Sequence, residues 1–395
     1  MSAGALHGLR VLDLTNQLSG PYCSMLLADL GADVVKVERP GSGDEARAGG
    51  PHVNGESAPF MMVNRNKRSI TVDLKSADGR AIAVRLARRA DVVVENWRPG
   101  TAARLGLGWH DLHPLNPRLV YCSISGFGQT GPYAGHNGFD RIAQGMSGLM
   151  SITGDEQGPP WPVPLPVANL GTGMFAAIGI LAALQARSTT GQGQLVDASL
   201  LETPIAWAVY EAAEHFATGA VPRRLGPGHR TNAPYQAFRT ADGWINLGGG
   251  SPGFWPRICR VLGVEALVDD PRFATPMLRV RHRQDLERLL QARFLTAPTA
   301  TWLERLEAAG VPAGPILTYD QVFADPQVCQ REMAVEVVHP RAGRMRVLGV
   351  PYKLSETPAA VRRAAPTLGQ HTDEVLRELG YDDAAIRSLR ERKIV

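Results

Sequence analysis

The stretch LRVLDLTNQLSGPYCSMLLADLGADVVKVER, residues 9–39, decides the fold. LRVLDLT (9–15) has a strand's composition, PYCSMLLADLGA (21–32) spaces its apolar residues as a helix does, and DVVKVER (33–39) is again a strand. A helix between two strands carries the chain back to the same end of the sheet, so the strands lie parallel. The unit recurs: SITVDL (69–74), SADGRAIAVRLARRA (76–90) and DVVVENW (91–97) repeat strand, helix, strand, and LVYCSIS (119–125) adds another strand. The expected fold class is α/β, a Rossmann-like parallel sheet covered by helices. Ligands of such sheets bind beyond the carboxyl ends of the strands. The loops expected there, NQLSGP (16–21), RPGSGDEAR (39–47), NWRPG (96–100) and GFGQTGP (126–132), are rich in small, amide and basic residues. Any one of them is ordinary turn chemistry. Four on one edge point to a site.

Near residue 220 the texture changes. PRRLGPGHRTNAP (222–234) reads as a linker, and YQAFRTADGWINLG (235–248) as a hairpin turning at Ala241 to Gly243, with short helices after it. A second strand pair, EVVHP (336–340) and RMRVLGVPYKL (344–354), is joined through Arg341 to Gly343. Two amphipathic helices close the chain, TDEVLRELG (372–380), with Thr372 as its N-cap, and DDAAIRSLRERK (382–393). The expected organisation is a large α/β domain begun by residues 1–220, a smaller α+β domain over 225–330, and a C-terminal segment, 331–395, that returns to the large domain.

The chain has 395 residues, long enough for two well-covered cores. Its 42 Lys and Arg against 38 Asp and Glu leave a net charge of +4, which does not suggest a nucleic-acid partner. A local anionic ligand fits that balance. Cys23, Cys122, Cys259 and Cys329 show no CxxC or His-rich spacing, so neither a disulfide framework nor a metal site is expected. They read as buried thiols in a reducing compartment. The N-terminal MSAGALHGLRVLDLT lacks a secretory pattern, and the longest apolar run, Met174 to Leu184, is short of the roughly 20 residues that span a bilayer. The expectation is a cytoplasmic protein without a membrane partner.

GGGSPG (248–253) formally matches GxGxxG, but the preceding WINLG reads as a hairpin arm and not as the opening strand of a βαβ unit. Three glycines suit a lid whose backbone N–H groups approach a reacting carbonyl, and they suit a plain loop equally. Arg39, Lys75, Arg98 and Arg104 fall at or soon after expected strand ends, where they would meet phosphates or form a solvated rim. Coenzyme A, with a pyrophosphate and a 3′-phosphate, would explain the cluster. In PVANLGTGMFAAIGILAAL (166–184), Asn169 reads as the N-cap of an apolar helix. Asp would cap as well, favoured by the helix dipole and held ionised as a nucleophile. Gly171 and Gly173 would leave the first turn clear for a bulky substrate.

Together these stretches resemble the family III CoA-transferases of CaiB/BaiF type, the group containing formyl-CoA, crotonobetainyl-CoA and several succinyl-CoA-dependent transferases. The likeness runs through NRNKRSITVDLK (64–75), DVVVENWRPG (91–100), LVYCSISGFGQTGPY (119–133), GFDRIAQGMSGLMSITG (138–154), GQGQLVDASLLE (191–202) and LGQHTDEVLRELGY (368–381). It implies an interlocked-ring homodimer, acyl-CoA and carboxylic acid substrates, and no tightly bound cofactor. It also implies that an aspartate at position 169 attacks the acyl-CoA thioester, and that CoA passes through a mixed anhydride and an enzyme-linked thioester to the new acid. Here Asn169 stands in place of that nucleophile. The intact surroundings favour an inactive or impaired Asp-to-Asn variant. The resemblance assigns Gln17, Asp140, Gly248, Gly249 and Gly250 to the reacting centre. It assigns Leu18, Arg39, Leu74, Lys75, Asn96, Trp97, Arg98, Arg104, His136, Asn137, Gly138 and Phe139 to CoA binding. Two alternatives stand beside it: an α-methylacyl-CoA racemase-like enzyme, for which His136 is the nearest histidine, and a noncatalytic CoA-binding subunit.

Overall fold

In the computed structural model of the protein, residues 4–249 and 251–395 are described. β1 (Arg10–Asp13) pairs in parallel with β2 (Asp33–Glu38) on one side, which pairs with β3 (Lys67–Thr71). On its other side β1 pairs with β4 (Val92–Glu95), followed outward by β5 (Val120–Ser125) and β6 (Leu195–Ser199), all parallel. The order is thus 3-2-1-4-5-6, the doubly wound arrangement expected from the strand and helix pattern. Leu12 sits opposite both Val35 and Val93, which fixes the register at the middle of the sheet.

The period-two alternation of the strands builds two cores. Val11, Val34, Val92, Val94 and Cys122 pack on one face with α1 (Ser19–Asp29). Leu12, Val35, Ile70, Val93 and Tyr121 pack on the other with α2 (Ala77–Arg89) and the C-terminal helices Thr372–Glu378 and Asp383–Glu391. α3 (Asp140–Met146) precedes α4 (Val167–Thr190), whose small residues Ala168, Gly171, Thr172, Gly173, Ala176, Ala177 and Ala183 are buried. That stripe lets α4 lie close against α1: a Cβ on Gly173 would stand 2.7 Å from the Ser19 carbonyl oxygen. α4 is longer than the apolar run within it. Among the described residues it is the one helix long and apolar enough to cross a membrane, and 44% of that window is buried within the chain.

Two compact units result, Met1–Leu149 with Val163–Tyr210 and Pro326–Val395, and Met150–Pro162 with Glu211–Asp325. The first unit therefore ends its second segment at Tyr210, and residues 150–162 join the second unit. In that second unit β7 (Tyr235–Arg239) and β8 (Trp244–Gly248) form an antiparallel hairpin, and β9 (Ala313–Pro315) pairs beside β8. Phe238, Ile245, Leu247, Ile258, Phe294 and Trp302 fill its core. The strand before the three glycines is thus a hairpin arm, which removes the dinucleotide reading. Cys23, Cys122 and Cys259 are buried as expected, whereas Cys329 is exposed. Thr372 does not cap its helix: His371 takes the cap position, and the Thr372 hydroxyl accepts the Thr71 N–H at 3.1 Å.

Candidate active site

β1 and β4 are neighbours whose connections leave to opposite sides, so a crevice opens between the loops that follow them. The two loops are tied together there. The Asn16 N–H donates to Asn96 Oδ1 at 2.8 Å, and Asn96 Nδ2 donates to the Asn16 carbonyl at 2.7 Å. Gln17, next along, is exposed and holds φ at 67°, a left-handed conformation uncommon outside glycine. Its N–H donates to Asp44 Oδ1 at 2.9 Å and its Nε2 to Glu45 Oε2 at 2.7 Å. Leu18 packs on the α1 face of the core. Trp97 and Leu74 pack on the other face. The structure thus gathers Gln17, Leu18, Asn96, Trp97 and Arg98 at one crevice, with Arg39, Leu74 and Lys75 after the neighbouring strands on the same edge.

Arg104 ends a short helix, Thr101–Arg104, and donates to Thr101 Oγ1 at 2.8 Å. Arg39, Lys75, Arg98 and Arg104 are all exposed. Among the described residues none of the four has an acidic side chain within ion-pair distance. Four uncommitted cations on the carboxyl edge favour an anionic ligand.

Behind the crevice lies a layer of buried charge on the α1 face. Lys36 Nζ reaches Asp44 Oδ2 at 2.8 Å and donates to the Thr15 carbonyl at 2.7 Å. Lys67 Nζ reaches Asp13 Oδ2 at 3.1 Å and donates to Asn64 Oδ1 and the Pro21 carbonyl. Burial opposes the Asp13 charge, but Lys36 and Lys67 outweigh it and hold the carboxyl below its ordinary range. Burial also opposes the Lys36 charge, and Asp13, Asp44 and Glu38 outweigh it and hold the ammonium above its usual value. For Lys67 burial prevails and brings the ammonium down to about 8. The signal was in the sequence for two of the three: by period two, Asp13 shares a face with Val11 and Lys36 with Val34, whereas Lys67 shares its face with Ser69 and Thr71.

On the opposite face, Glu95 closes β4 and accepts the Trp97 N–H at 2.9 Å. Burial pushes its carboxyl up to about 7, against the hydrogen bonds from Ser123 and Trp97 that favour its charge. It lines a cavity of about 350 Å³ with Arg98, Trp109, Tyr121 and Ser123.

Asp140 and Asn169 meet directly, but not through the Asn169 side chain. α4 begins at Val167, so Asn169 is its third residue and Pro166 takes the cap position without a side-chain bond. The expected N-cap role is overturned: the Asn169 backbone N–H donates to Asp140 Oδ2 at 2.9 Å. Asp140 Oδ1 accepts from Gln144 Nε2 at 2.6 Å, and Gln144 Oε1 accepts the Val163 N–H at 2.9 Å. A carboxylate from α3 thus supplies the cap, satisfying one of the free amides of the α4 terminus. Asn169 lies half-buried with its side chain uncommitted to the cap.

Gly171 and Gly173 do not clear a path for substrate. A Cβ at Gly171 would collide with the Trp207 ring, and one at Gly173 with α1. This crossing has a consequence for the site. α1 and α4 each link parallel strands, so both start at the carboxyl edge, and Asn169 stands one turn before Gly173 on the same face. That carries it toward the Gln17 and Leu18 loop. Gly138 abuts Gly126 so closely that neither has room for a Cβ, which fixes the loop holding exposed His136, Asn137 and Phe139. The His136 ring lies against Tyr133 and Phe127, at 5.3 and 6.3 Å between centroids.

In the second unit, the Gly248 N–H is committed to the Pro312 carbonyl at 2.8 Å and is not free to meet a substrate carbonyl. Gly249 is buried, and a Cβ there would collide with the Pro234 carbonyl. Both glycines serve close packing. Gly250 lies outside the described residues. Among the described residues no group of three or more His, Cys, Asp or Glu is placed to hold a metal ion.

The family model for CoA-transferase family III matches residues 6–372. The chain is 42% identical to succinyl-CoA:glutarate CoA-transferase of Mus musculus, over 97% of this chain and 88% of that protein. It is 38% identical to succinyl-CoA–D-citramalate CoA-transferase of Chloroflexus aurantiacus, over 99% of this chain and 98% of that protein. Among solved structures, a CAIB/BAIF family protein from Brucella suis superposes with a TM-score of 0.86 at 38% identity, covering 96% of this chain and all of that one.

Proposed function

The chain belongs to CoA-transferase family III, and on that premise we propose that it binds succinyl-CoA and a five-carbon dicarboxylate and is built to move CoA between them. The observation that carries this reading is the seat of residue 169. It lies in the first turn of α4, half-buried, its amide held by Asp140 and its turn set toward the Gln17 and Leu18 loop by the Gly173 crossing on α1. Arg39, Lys75, Arg98 and Arg104 take the phosphates of CoA, with Arg acting as a bidentate fork and Lys as a point charge. The donor and acceptor follow from the relatives, whose names pair succinyl-CoA with glutarate or D-citramalate.

A carboxylate at 169 attacks the thioester carbonyl, the carbon–sulfur bond breaks and CoA leaves as thiolate, giving a mixed anhydride. The thiolate attacks the enzyme's acyl carbon, releasing the donor acid and leaving an enzyme thioester. The acceptor carboxylate repeats the two exchanges in reverse and leaves as acyl-CoA. Asn169 has no carboxylate oxygen to open this sequence. The chain therefore keeps the binding function and lacks the first step.

The same reading makes the protein an intertwined homodimer, supported by apolar side chains that the first unit leaves exposed: Met174, Phe175 and Ile178 on α4, and Ile205, Trp207 and Val209 beyond it. Calorimetric titration of the unaltered chain with CoA tests the binding half. Saturable binding that weakens with salt and with Arg39→Ala is expected. No heat of binding at millimolar CoA would overturn it.

A further inference from the structure

The loop that carries Gln17 is pinned at three consecutive residues, by polar side chains from β2, from the loop after β2 and from the loop after β4. Lys36 Nζ holds the Thr15 carbonyl, Asn96 holds both the N–H and the carbonyl of Asn16, and Asp44 Oδ1 holds the Gln17 N–H. Asp44 is 1% exposed, and its side chain and that of Lys36 are fully buried in contact with each other. Its Oδ1 also accepts the Ala46 N–H at 2.9 Å, so one oxygen joins the loop after β2 to the loop after β1. A buried ion pair of this kind is weak evidence for stability, because desolvation of two charges offsets most of their attraction. A left-handed glutamine costs energy and persists only where its surroundings over-determine it.

We propose that Asp44, oriented by Lys36, is a positioning residue that holds Gln17 in its left-handed conformation at the mouth of the acyl-CoA site. It touches no substrate in this role. It acts by setting the peptide from which the Gln17 side chain departs, while Glu45, next in sequence, holds that side chain's amide. The functional consequence rests on the CoA-site reading given above; the conformational claim does not.

Two variants separate positioning from stability. Asp44→Ala removes both the acceptor oxygen and the counter-ion of Lys36. Asp44→Asn removes the counter-ion but keeps an oxygen able to accept the Gln17 and Ala46 N–H groups. Both are expected to lower the melting temperature, since both leave Lys36 buried without its full charge partner. Only Asp44→Ala is expected to expose the Gln17 amide to rapid hydrogen exchange and to weaken CoA binding, by about tenfold or more, with Asp44→Asn remaining within about threefold of the unaltered chain.

If both variants lose CoA affinity in step with their melting temperatures, Asp44 is structural and the proposal fails. If the unaltered chain does not bind CoA, the CoA-site reading fails and exchange at the Gln17 amide alone decides the conformational claim. Should neither variant fold, exchange in the unaltered chain still tests it. Protection at Gln17 comparable to that at Ala46 is expected, and exchange at the rate of an open loop would overturn the pinning.

Discussion

Asn169 offers its backbone to Asp140 and leaves its side chain uncommitted to the cap, so an exchange of the side chain at this position leaves the hydrogen bond at the helix start in place. The resemblance singled out this position, and its capping role was misread for a physical reason. A residue that caps from another element leaves no mark at the helix it serves, and Asp140 lies 29 positions away. Glu95 was not legible at all, since an acid at a strand's end reads as solvent-facing. Its carboxyl stands at about 7 instead of the ordinary 4.5, so between those values the folded state holds a proton that the unfolded state releases. Stability then falls as pH rises through that window, and the whole penalty is present above 7. Glu95→Gln, neutral at every pH, should match the unaltered chain near pH 4 and exceed it above pH 7 by on the order of 3 kcal/mol. Urea denaturation at pH 4.5 and 8 measures this. Equal differences at the two values would show that Glu95 does not titrate in that window.

At the scale of elements, the strands and their crossover helices were readable because strands buried on both faces read as short, nearly continuous apolar runs, set between stretches of helical spacing. The buried charge layer was not recognised: Lys36 lies in an apolar run and Lys67 in the polar stretch NRNKRS, and in either setting a lysine is normally on the solvated side. The glycines of α4 were read as room for substrate and prove to be room for α1 and Trp207. The close approach itself is testable. Gly173→Ala must push the Ser19 carbonyl away or part the two helices, and overpacking of this kind costs about 1–3 kcal/mol. The same shift moves residue 169 relative to Leu18, so CoA affinity should fall together with stability. Stability unchanged in denaturant titration would mean that the helices do not cross at Gly173.

For the whole molecule, the division falls after Tyr210, ahead of the change of texture near residue 220, and residues 150–162, where no such change was seen, join the smaller unit. The apolar side chains that the first unit exposes along α4 are surface of the kind that the intertwined homodimer proposed above would cover. The interlocking proposed above predicts a dimer and no folded monomer by mass photometry at nanomolar protein, because threaded rings would part only by opening. A stable monomer would rule the interlocking out. At residue 169 an amide nitrogen stands where the proposed chemistry needs a carboxylate oxygen. Asn169→Asp and the unaltered chain, each incubated with succinyl-CoA and then hydroxylamine, can be compared by peptide mass spectrometry. A hydroxamate at residue 169 in the Asp form, absent from the unaltered chain, is the result expected if this position carries the nucleophile. Succinyl-CoA turnover by both forms without modification at 169 would contradict it.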